Sequence, residues 1–146
     1  MKTRESDDAL TLRRLRTFLL ALSAALYAGA MVELFLVEHT EDPAQLIPFG
    51  LCALGILSLA GCRLRPGRAS VRALRLVGAL VVVGSAIGMA FHLNANVEIA
   101  RETMPGASGA ALFIAGLSGG NPLFAPGILA VAAAIGWAAT YSARRS

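Results

Sequence analysis

The chain has 146 residues and a mass of 15.1 kDa; 56% of its residues are hydrophobic, 15% are charged, and the mean hydropathy is +0.66. That balance is at odds with a water-soluble globular domain, whose surface needs far more charge than 13 Lys/Arg and 9 Asp/Glu can supply. Two cysteines rule out a disulfide scaffold, and the apolar content rules out a disordered chain.

A bilayer core about 30 Å thick is crossed by roughly 20 apolar residues in a helix. Residues 1–16 precede the first such stretch and read as a cytoplasmic basic tail carrying Lys2, Arg4, Arg13, Arg14 and Arg16. The first predicted helix covers about 17–37. A small-residue run, Ala28-Gly29-Ala30, resembles a signal-peptidase site, but the apolar stretch continues past it to Val37, so a retained anchor is expected. The second helix covers about 44–62. Its Cys52 and Cys62 are about 15 Å apart along one helix and cannot bridge each other.

The loop after the second helix holds Arg63, Arg65, Arg68, Arg72 and Arg75, and the third helix covers about 76–94. Between Pro105-Gly106 and Gly119-Gly120-Asn121-Pro122 lies a 107–118 segment that would reach only about 18 Å as a helix. It is too short to cross, so a re-entrant or interfacial extracytoplasmic helix is expected, capped by Ser108 and stopped by Gly119. The fourth helix covers about 125–142, with Arg144 and Arg145 beyond it.

Arg101 is the one basic residue outside the tail, the second connection and the C-terminus. Because cytoplasmic flanks are rich in Lys and Arg, the expected fold is all-α, an integral membrane four-helix bundle (17–146) with both termini cytoplasmic. The expected location is a bacterial-type inner membrane, crossed several times. This arrangement accounts for the net charge of +4. No reading motif accompanies that charge, so nucleic acid is not an expected partner.

Lipid tails are as apolar as Leu, so helices in a bilayer associate largely through close approach at small residues. Rows at Ala21-Ala25-Gly29, Gly84-Gly88 and Ala132-Gly136-Thr140 are the expected seams. They would serve the bundle itself, a homo-oligomer, or a larger membrane complex in which this chain is an accessory subunit.

The ionisable residues at the outer end carry the candidate chemistry. An ionisable group at membrane depth costs about 2.5 to 3.5 kcal/mol at mid-bilayer, which makes it a functional candidate. Glu33 and His92 each lie about one turn inside the expected outer boundary, on the first and third helices. Asn96 continues the face of Ser85, Gly88 and His92. Glu38, His39 and Glu98 complete a possible set.

Imidazole with carboxylate and amide oxygen suits a divalent ion such as Zn, Mn or Fe(II). The expected metal residues are therefore Glu33, His92, Asn96, Glu98, His39 and Glu38. The same site could take a small ligand or dock an extracytoplasmic partner, and a Glu33–His92 pair could relay protons in an enzyme or carrier. A haem held by His39 and His92 is disfavoured, because His39 sits in the loop sequence Glu38-His39-Thr40-Glu41-Asp42-Pro43.

Overall fold

The computed structural model describes residues 2–141, with side chains from residue 7 onward. Arg144, Arg145 and the last residue of the fourth predicted helix lie outside the described residues. The described chain is helical, with no strand. Its helices are α1 (Lys2–Leu36), α2 (Ile47–Leu64), α3 (Arg68–Thr103), α4 (Gly109–Leu117) and α5 (Phe124–Ala139), and a one-turn 3-10 helix, Pro43–Leu46, leads into α2.

Three segments are long and apolar enough to cross a bilayer: Asp7–Leu36, Pro43–Leu64 and Arg68–Thr103. At 16 residues, α5 is about 24 Å long and falls short of that length. Two helices also outrun the apolar windows that predicted them. The 2–16 segment contains neither Gly nor Pro and is rich in Leu and Arg, so α1 runs straight through the predicted tail. Likewise α3 starts eight residues early and continues nine past position 94. Polar residues end an apolar window without ending a helix; the break comes only at Pro105-Gly106, where Gly106 takes a φ of +85°.

Helix α1 packs against α2 and α5, and α3 packs against the same two. Close approach at glycine sets the pairings. A Cβ at Gly55 would lie 2.6 Å from the Tyr27 ring, one at Gly84 2.5 Å from Leu51, and one at Gly78 would overlap the Trp137 indole. The expected α5 seam is present, with Ala132 and Thr140 at 0% and 5% exposure and Gly136 buried between them.

The expected α1 seam is not. Ala21, Ala25 and Gly29 are exposed, and the buried ridge is Ser23, Tyr27 and Ala30. Ser23 accounts for this choice of face: its hydroxyl donates to the Ala132 carbonyl at 2.7 Å, linking α1 to α5. Tyr27, one turn on, fills the space over Gly55.

Cys52 and Cys62 are free, at 0% and 9% exposure. Both are expected to resist a membrane-permeant maleimide in the folded protein and to react within minutes after denaturation in SDS. Rapid labelling of Cys52 in the folded state would contradict the packing of α2.

Candidate functional site: the α4 end of the helices

The antiparallel pairings put His92, the α1–α2 connection and the start of α5 at one end. Gly88 meets Pro126 and Gly127 faces Met89, so residues after His92 on α3 extend past the start of α5. In the α1–α2 connection, the His39 amide donates to the Leu34 carbonyl at 3.0 Å and the Glu38 amide to Phe35 at 3.2 Å. This is the double hydrogen bond that closes a helix around a left-handed residue. Glu38 occupies that position with φ +53°, where glycine is usual. Glu38→Gly is therefore expected to raise the unfolding free energy by about 1 kcal/mol, read from denaturant titration in detergent.

Asp42 caps the 3-10 turn through a 2.8 Å bond from the Ala44 amide, and Gln45 reaches back to the Glu41 amide at 2.9 Å. Glu98 pairs with Arg101 at 2.7 Å on the exposed side of α3. With both side chains more than half exposed, that pair adds little stability.

Glu33 and His92 do not meet as the sequence leads one to expect. Among the described residues no hydrogen bond or ion pair joins them, and Glu33 is exposed on the flank that carries Leu36 and Val37 at 72% and 63% exposure. The reason is helical phase: the buried ridge runs Ser23, Tyr27, Ala30 and on to half-buried Leu34, and Glu33 is turned about 100° from Leu34. Glu33→Gln and His92→Ala are therefore expected to combine additively, with an interaction energy below about 0.5 kcal/mol in a double-mutant cycle.

No group of three or more His, Cys, Asp or Glu among the described residues is arranged to hold a metal ion. Of the six expected ligands, Glu33, Glu38 and Glu98 are exposed, His39 and His92 are half-buried, and Asn96 is 2% exposed.

Asn96 is fully engaged elsewhere. Its Nδ2 donates to the carbonyls of Gly116 at 3.0 Å and Asn121 at 2.9 Å, and its Oδ1 accepts from the backbone and side-chain amides of Asn121, each at 2.9 Å. Two donors and two acceptors are the working capacity of an amide side chain, so none is left for a ligand. A Cβ at Gly119 would overlap this head group, and one at Gly116 would meet Val97. Both glycines thus let the 116–121 segment close on α3.

This arrangement holds α4, which touches α3 alone. The nine residues GAALFIAGL carry no polar side chain. Ser108 caps the helix through a 3.3 Å bond from the Ala111 amide, as its position predicts. Phe113, Ile114 and Leu117 are 50%, 65% and 51% exposed. The signal that points to this element is the Gly119-Gly120-Asn121 turn; the partnership of Asn96 with Asn121, 25 residues on, has no local signature.

Comparison of the chain with family models, with curated proteins and with solved structures finds no match.

Proposed function

We propose that this chain is a four-helix integral membrane protein of the inner membrane, with cytoplasmic termini, that docks a partner protein through the α3–α4 hairpin at its outer end. The observation that carries the reading is α4 itself: a helix apolar on every side, supported by α3 alone and leaving Phe113, Ile114 and Leu117 exposed. A helix of that composition is stable where its faces are covered. Asn96 holds it rigidly, which suits a recognition element, since preorganisation lowers the ordering cost of binding.

The rest of the reading follows from charge and length. Arginines gather at the end opposite α4, in keeping with a cytoplasmic assignment for that end. Helix α5, antiparallel to α3, completes a fourth crossing if the bilayer thins locally or polar ends reach outward, at a modest cost per ångström of mismatch.

In a mild detergent, the wild-type chain is expected to migrate in an assembly larger than its own 15.1 kDa. Changing Phe113, Ile114 and Leu117 together to Ser dissociates that assembly with helix content unchanged, because each buried side chain of this kind contributes about 1.5 to 3 kcal/mol. An assembly indifferent to the triple substitution overturns the reading.

A further inference from the structure

The opposite end of the molecule carries a second surface. Gly84 faces Leu51, so in the antiparallel α2–α3 pair Arg63 and Arg72 fall at the same height, with Arg65 in the turn between them. All three are exposed, and none makes an ion pair among the described residues. At the same end, Arg75 Nη2 donates to the Thr140 carbonyl at 2.7 Å and Trp137 Nε1 to the Arg75 carbonyl at 3.3 Å. Arg75 is thus committed to closing the C-terminus of α5, and the charges without an ion pair among the described residues are those of Arg63, Arg65 and Arg72.

No described acid stands at this height. Asp7 and Asp8 lie eight or nine residues before Arg16, about 12 Å or more farther along α1. Among the described residues, these guanidinium groups therefore have no counter-charge. Exposed apolar side chains adjoin the arginines: Leu64 at 77%, between Arg63 and Arg65, and Leu76 at 73%, one turn beyond Arg72 on the same face. A soluble polyanion satisfies the guanidinium groups and leaves these leucines in water. A molecule with a phosphate head and apolar tails satisfies both.

We propose that Arg63, Arg65 and Arg72 form a head-group site for anionic phospholipids at the α2–α3 end of the fold. Planar guanidinium groups pair with phosphate oxygens through two hydrogen bonds each, Leu64 adjoins the head group, and the tails run along Leu76.

The test reconstitutes the full chain into nanodiscs of phosphatidylcholine alone or with 20% phosphatidylglycerol or cardiolipin, and reads lipid retention by native mass spectrometry together with the thermal midpoint. Wild type is expected to retain the anionic lipid selectively and to melt higher in its presence. Replacing Arg63, Arg65 and Arg72 by Gln weakens retention by roughly 100-fold, on the scale expected for three basic residues at a charged surface. The midpoint in phosphatidylcholine alone stays unchanged. Inorganic phosphate added to phosphatidylcholine nanodiscs does not reproduce the shift, which separates a lipid from a free anion as ligand. Equal retention by wild type and the triple variant, or full replacement of the lipid effect by inorganic phosphate, overturns the proposal.

Discussion

Replacing Asn96 by Leu is expected to destabilise the α4 end of the fold by about 3 to 5 kcal/mol. Four hydrogen bonds at 2.9 to 3.0 Å are lost together. The Gly116 and Asn121 carbonyls and the Asn121 amide then face an apolar side chain, and each unsatisfied buried group costs about 1 to 3 kcal/mol. Partial access to water at the rim keeps the total below the simple sum. Asn96→Asp retains the acceptors and loses both donors, and its charge is repelled by the two carbonyls, so it is expected to rescue little. Hydrogen exchange across 109–121 reads the effect directly: protection there collapses in the variant while α2 stays protected. An unchanged exchange pattern would mean that the hairpin is held by something other than this amide.

The second large effect is at the α3–α5 contact. Gly78→Ala places a methyl within 3 Å of the Trp137 indole, a rigid ring that cannot move aside without breaking its bond to the Arg75 carbonyl. Overpacking of this kind costs about 1 to 3 kcal/mol. Trp137 is the sole tryptophan, so its fluorescence reports the site. The expected result is a red-shifted emission and a lower midpoint for Gly78→Ala, with no change for Gly50→Ala, where the added carbon meets nothing within 4 Å. Equal behaviour of the two variants would contradict the seam.

What the sequence reveals here is what repeats along a helix. The apolar windows locate three spans, and the row at Ala132, Gly136 and Thr140 locates the buried side of α5, because both signals recur every turn and need no knowledge of the partner. Helix ends are harder to read. Residues 2–16 and 95–103 are polar and helical at once, and hydropathy registers only the first property.

The absence of a Glu33–His92 hydrogen bond among the described residues has a related reason. Glu33 and His92 stand at similar depths, and depth can be counted from sequence. Whether two side chains meet depends on rotation about each helix axis, and one residue of phase, about 100°, takes Glu33 off the packed side. On α3 the same reasoning succeeds, since Ser85 and Asn96 are buried on the face predicted for them. Asn96 bonds to Asn121 and to the Gly116 carbonyl, a long-range pairing that no spacing rule discloses.

The account rests on α4 meeting another protein. The direct measurement is site-specific photo-crosslinking in intact native membranes, with a diazirine amino acid at Ile114 and, as a lipid-facing control, at Leu57, which is 68% exposed on α2. The account predicts a discrete protein adduct from Ile114 that is lost when Asn96 is Leu, and only lipid adducts from Leu57. Lipid adducts alone from both positions would contradict it.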